Sequence, residues 1–337
     1  MRTLSWILII AVCFVSGGAT CMRRDVPMPF APPPVVLNET PSITDVAAAV
    51  NRTSQIRQLS TNSASVDVLS MPKLPKLSAT LSLQRERRFR LRASLPIVLG
   101  SGLDMGSNEQ LFWFEVPEGI SKTLYFAQHE QYRQQLNRAI LPVDPTWIMD
   151  ALGLVQIDPA TVVAGPVRRS DGRLEVRNAM SLPNGTYQRV CLIDAQAGFV
   201  THQFLYAPNG SLVANSEASN HRYYEEYDCA LPHSVKINLQ PASGPPLAMQ
   251  IDVGNYALNQ LLSGDPQLFV MPQSASKAVD LTQIGGGPTS GAAAGGVSAI
   301  PSSAGTATIA PSHYTTGRLG PMPLRGTVRG AARAIVR

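Results

Sequence analysis

The chain has 337 residues, with 44% apolar and 15% charged side chains, which suits one large or two small globular domains. Its formal net charge of +5 is local. From Gln273 onward Lys277, Arg318, Arg325, Arg329, Arg333 and Arg337 face Asp280 alone, so residues 21–272 are near neutral and lack the basic footprint of a nucleic-acid-binding domain.

The N-terminus reads as an export signal. Arg2 precedes an apolar run over residues 4–15, and residues 17–20 are small. The run is shorter than the roughly 20 residues of a membrane span, and no later segment is apolar enough to be one. Gly18, Ala19 and Thr20 before Cys21 resemble the lipobox of bacterial lipoproteins, with Gly18 where that family prefers Leu and Thr20 where it prefers Gly or Ala. The resemblance implies cleavage before Cys21 and acylation of its thiol. The alternative is ordinary signal cleavage with Cys21 incidental. Residues 21–42 include "PMPFAPPPVV" and read as an extended tether, which suits an anchored protein.

Residues 43–272 read as the folded domain. Thr44 or Asp45 caps a helix on which Val46, Ala49, Val50, Thr53, Ile56 and Leu59 recur at helical spacing. Strands follow: "ASVDVLS", "LSATLSLQ", "ERRFRLRASL", "EQLFWFEV" and "KTLYFAQ". In "RRFRLR" the arginines 88, 90 and 92 share one face, either a solvated face or a contact for headgroups or a partner. In "LFWFEV" Leu111 and Trp113 oppose Phe112, Phe114 and Val116, so both faces are covered.

A helical interruption spans residues 131–154. Asp144 and Pro145 start its second helix and Gly153 ends it. Trp147, Ile148, Met149, Ala151 and Leu152 occupy most of that helix's circumference, so it must lie against a large apolar surface. Eight further strand signals run from "TVVAGPVRR" to "LAMQIDV". Asp171-Gly172, Asn184-Gly185 and Asn209-Gly210 mark hairpins, hence an antiparallel meander. Cys191 and Cys229 fall in strands and are either a disulfide of an exported protein or two buried thiols.

Residues 273–337 are rich in Gly, Ala and Ser and are expected to be disordered. Arg325, Arg329, Arg333 and Arg337 are four apart, either a basic stripe for an acidic surface such as lipid headgroups or a solvated end. The chain has no GxSxG, HExxH or phosphate-binding loop, and its five histidines lack ligand spacing. Glu225, Glu226 and Asp228 near His221 are a metal or acid–base group or a solvated turn. We therefore expect no catalytic residue, no metal, no cofactor and no nucleic-acid partner.

One helix, a long meander and an inserted helical pair resemble the outer-membrane lipoprotein-sorting family, comprising the periplasmic carrier (LolA) and its membrane-anchored acceptor (LolB). The resemblance is carried by "LSLQRERRFRLRASLP" (81–96), "SNEQLFWFEVPEG" (107–119) and "RVCLIDAQAGFVTHQFLYAPNGSLVANSEASNHRYYE" (189–225). Glu86 stands where the family usually has Pro.

The resemblance implies a mainly β (α+β) fold: a curved, incomplete antiparallel β-barrel with helices plugging its concave face. It implies a cavity for a lipid or the acyl chains of lipoproteins, walled by Phe89, Leu91, Phe112, Phe114 and Phe126. The lid would be Trp147, Ile148, Met149 and Leu152. With Cys21 acylated, the chain is expected to be a monomer held by its lipid in the cell envelope, facing the periplasm at the outer membrane. The competing expectation is an envelope scaffold with a filled core, acting through tether and tail.

Overall fold

The computed structural model describes residues 30–94, 101–118, 121–134, 143, 147–241, 246–260, 265–273 and 277–283. The first strands are β1 (Gln58–Asp67), β2 (Leu77–Gln84), β3 (Arg88–Ser94), β4 (Ser101–Ser107), β5 (Leu111–Glu118) and β6 (Ser121–Gln128). After the helical interruption come β7 (Val162–Arg168), β8 (Leu174–Leu182), β9 (Gly185–Ile193), β10 (Val200–Tyr206), β11 (Leu212–Tyr224), β12 (Cys229–Leu239) and β13 (Leu247–Val253). Two short strands, β14 (Ala257–Leu258) and β15 (Lys277–Asp280), complete the described sheet.

Two meanders, β1–β6 and β7–β13, share one sheet because β13 pairs antiparallel with β1. The result is an open, curved sheet, an incomplete barrel, as expected. The three hairpins marked by Asp-Gly or Asn-Gly form where those turns fall, β7–β8, β8–β9 and β10–β11, with Gly172, Gly185 and Gly210 at positive φ. A register shift between Thr61 and Ala64 lies on β1, where pairing passes from β14 to β13, and such bulges bend a strand. Period-two patterning decides the faces: on β2, Leu77, Ala79, Leu81 and Leu83 are buried and their neighbours are not.

Helix α1 (Ile43–Val50) is capped by Ser42. The Ser42 hydroxyl accepts from Asp45 N (3.2 Å), and Ser42 N donates to the Asp45 carboxylate (2.9 Å), a reciprocal capping box. The helix is shorter than its pattern suggested, and Ile56 and Leu59 lie beyond it. At Asn51 the side chain turns to Ile157, accepting from its N–H (2.8 Å) and donating to its carbonyl (2.9 Å), and a 3-10 turn over Asn51–Gln55 leads into β1. The helix packs Val46, Ala47, Ala49 and Val50 on Leu174, Val176, Cys191 and Ile193. A larger core joins the inner faces of β1–β5 and β11–β13 to the second helical segment.

Several expectations are corrected. Strand β4 carried no strand signal, because its glycines serve packing rather than propensity: a Cβ at Gly102 would lie 2.6 Å from the Ala93 carbonyl oxygen, and one at Gly106 would collide with the Trp113 indole. The arginine row is not uniformly solvated. Arg90 is buried, paired to Asp104 (2.6 Å), donates to the carbonyls of Gln267, Leu268 and Val270, and lies 5.7 Å from the Trp113 ring centroid. The chain at 265–273 thus covers the outer face that alternation alone assigned to solvent.

Part of the tether also docks. The N–H groups of Val36 and Leu37 donate to the Gln196 carbonyl, and Phe30 lies 5.7 Å from Tyr224 beneath the Arg222 guanidinium. Within the expected tail, β15 pairs parallel with β6, and Leu281 joins the main core. Cys191 and Cys229 are free and buried. They sit on β9 and β12, three strand spacings apart in the sheet, or about 14 Å, which is beyond disulfide reach. Burial pushes both thiols up, Cys229 to about 12, so neither is a nucleophile at neutral pH. Cys21, Asp144, Pro145 and the tail arginines lie outside the described residues.

Candidate apolar-ligand site

The register places four of the expected wall residues on one face. Phe89 opposes Ser107, which opposes Phe112; Leu91 opposes Met105, which opposes Phe114. Phe126 does not join them. It opposes Trp113, which opposes Gly106 and Arg90, so it points to the outer face. Successive side chains of a strand alternate faces, and the inner position on β6 belongs to Tyr125, stacked on Phe114 at 5.0 Å.

The lid is α2 (Trp147–Met149), which runs into a π turn over Asp150–Leu154. Trp147, Ile148, Met149, Ala151, Leu152 and Leu154 are all buried. Within the turn Gly153 leaves the helical conformation, with φ +91, and a Cβ there would lie 2.6 Å from Pro232 Cδ. Only glycine satisfies both the backbone and the close approach there.

Trp147, Ile148 and Val143 meet Met105, Phe112 and Phe114 from the first meander. From the second come Ile237, Leu239, Leu247 and Met249. The apolar space they enclose is about 20 Å³, room for about one water. The site is therefore shut. Sequence reasoning missed the four residues of β12 and β13, although "VKINL" alternates apolar and polar positions and "LAMQI" places its large apolar residues at every second position. Met149 and Leu152 are buried in the same core but do not line this space.

The lid is fastened unevenly. Near its C-terminal end, the Arg85 guanidinium donates to the carbonyls of Ile56 (2.9 Å), Thr53 (3.1 Å) and Leu154 (3.3 Å). Gln203 donates to the Asp150 carbonyl (3.0 Å), and Arg189 pairs with the Asp150 carboxylate (3.2 Å) and donates to the Gln156 carbonyl (2.8 Å). Among the described residues the Trp147 end makes apolar contacts, and its indole Nε1 is buried with no hydrogen-bond partner there.

Other candidates do not assemble into chemistry. Asp228 is engaged by Arg52 (2.9 Å) and the Tyr223 hydroxyl (2.7 Å), while Glu225 and Glu226 are exposed on a turn. His221 stacks on Phe199 at 4.0 Å, and its burial lowers its pKa to about 4. Among the described residues, no three His, Cys, Asp or Glu side chains are grouped to hold a metal ion.

No family model and no curated protein matches the chain. Among solved structures it is similar to a putative outer membrane lipoprotein-sorting protein domain from Vibrio parahaemolyticus, at 9% identity and TM-score 0.43, over 66% of this chain and 95% of that one. It is also similar to a LolA superfamily protein from Nitrosomonas europaea, at 10% identity and TM-score 0.37, over 67% and 97%. A DUF1329 family protein from Desulfovibrio piger matches at 13% identity and TM-score 0.42, over 65% and 92%. At these scores the fold of this chain rests on its own strand order and register, which form an incomplete antiparallel barrel with a helical lid over its concave face.

Proposed function

We propose that this is an envelope protein that takes up an apolar chain, such as the acyl chain of a lipid or lipoprotein, between the lid and the concave sheet face. The observation that carries the reading is the lid. It is apolar on nearly every side and is joined by polar bonds near its C-terminal end; among the described residues its Trp147 end makes apolar contacts, and its indole N–H is buried without a partner in an apolar core. Leaving a buried donor unpaired costs about 1–3 kcal/mol, and an ester or amide carbonyl at the head of an acyl chain would satisfy it. Swinging out the Trp147 end would open the space that is now shut. The gain on binding would come from apolar burial, about 25 cal/mol per Å², with no bond made or broken.

The membrane attachment in this reading is an acylated Cys21, with the docked strap at residues 30–42 setting how far the domain stands from the anchor. A second reading has one observation in its favour: with about 20 Å³ enclosed, the core is filled, as in a scaffold that never opens. Titrating a folded form lacking residues 1–29 with a pyrene-labelled fatty acid separates the two. Saturable binding, accompanied by a change in tryptophan emission, is expected. Absence of binding by a protein whose circular dichroism is intact leaves the scaffold.

A further inference from the structure

Beside the lid, sharing no lining residue with the apolar space, lies an open cleft of about 330 Å³. Its floor is Met149 and Leu154 of the lid segment itself. Its walls carry three guanidiniums, those of Arg57, Arg85 and Arg189, against two carboxylates, those of Glu86 and Asp150. We propose that this cleft binds the anionic head, a phosphate or carboxylate, of the amphiphile whose chain enters under the lid. The inference rests on the apolar-chain reading above and names the class of ligand.

The charges are not equally free. Asp150 is held by Arg189, and Arg189 also spends a donor on the Gln156 carbonyl. Arg85 spends Nε and Nη2 on main-chain carbonyls, while Nη1 has no partner among the described residues. The exposed Arg57 guanidinium makes no ion pair or hydrogen bond among the described residues. Donors therefore outnumber the acceptors given to them. The Arg189 Nε, buried and unpaired, adds another. Guanidinium presents planar, permanently charged donors that suit phosphate and carboxylate oxygens. Moreover, the lid residues divide their roles: Trp147 and Ile148 face the apolar space, while Met149, Asp150 and Leu154 line the cleft. One amphiphile can thus engage two sets of residues on a single element.

The test is calorimetric titration of the folded domain with three probes of equal chain length below their micelle concentrations: dodecyl phosphate, dodecanoate and uncharged monolauroylglycerol. The anionic probes are expected to bind about tenfold tighter than the neutral one, with the margin shrinking as salt is raised. Arg57→Gln removes that margin in large part and leaves monolauroylglycerol affinity unchanged. Glu86→Gln widens it. Both side chains are exposed, so neither variant endangers folding. A preference for dodecyl phosphate over dodecanoate assigns the head to a phosphate; parity between them assigns the cleft to either oxyanion. Equal affinity for charged and neutral probes, or an unchanged margin in Arg57→Gln, overturns this inference alone. Failure of all three probes to bind overturns the apolar-chain reading with it.

Discussion

Arg90 shows how one side chain can join parts of the chain far apart in sequence. Its guanidinium is buried, pairs with Asp104, and caps three carbonyls of the segment at 265–273. Among the described residues, Arg90→Leu would leave Asp104 with only the Arg92 contact at 3.7 Å and would strip the side-chain donor from three carbonyls, of which Gln267 keeps a backbone partner, the Val270 N–H. Breaking a buried pair from one side costs about 3 kcal/mol, so the urea midpoint should fall and proteolysis should reach the 265–273 segment first. A midpoint within error of wild type would show that the pair is dispensable. His221 carries a pH dependence of definite sign. Unfolded, the ring takes up a proton near pH 6.5; folded against Phe199, burial holds it neutral down to about 4. The stability it contributes is complete above about pH 6.5 and is lost as pH falls through about 4. Measured at pH 7 and pH 4.5, the loss should be smaller in His221→Phe, which keeps the ring stack. An equal loss in both proteins would remove His221 as the cause.

Elements here are set by close approach as much as by propensity. Strand β4 has little strand propensity, yet Gly106 is where the Trp113 indole rests. Gly106→Ala should overpack that site and cost about 1–3 kcal/mol by thermal melting, whereas Gly210→Ala, which meets no neighbour, should cost only the strain of its positive φ. The lid follows the same logic. Gly153→Ala imposes a side chain at φ +91 and against Pro232, so the segment 147–154 should lose hydrogen-exchange protection while the sheet retains it. Protection unchanged across both would show that the π turn tolerates a Cβ.

At the scale of the molecule, the pairing of β1 with β13 decides behaviour. It makes two meanders into one sheet and brings both inner faces onto one core. Unfolding should therefore be a single cooperative transition, with tryptophan emission from Trp113 and Trp147 coinciding with far-ultraviolet circular dichroism in urea. Two separated transitions would mean that the meanders are independent. A ligand confined to the closed state or to an opened one would move that transition upward, by about 2.7 kcal/mol at a hundred times its dissociation constant.

The local order of this protein is written in neighbouring residues. Asn-Gly and Asp-Gly turns predicted an antiparallel meander, and the all-round apolar helix predicted a large apolar surface for it to lie against; the curvature and the helical plug were what the family resemblance implied. Turn chemistry and period-two burial act within a few residues, so they are visible without a structure. Tertiary contact decided the rest. Phe126 faces outward because β6 pairs in the register that stacks Tyr125 on Phe114. Arg90 is buried because residues 265–273 return over it, and Cys191 and Cys229 stay apart because β10 and β11 lie between their strands. Each outcome depends on which distant segment arrives at a face. Side-chain periodicity names the faces of a strand, but only long-range pairing says what covers them.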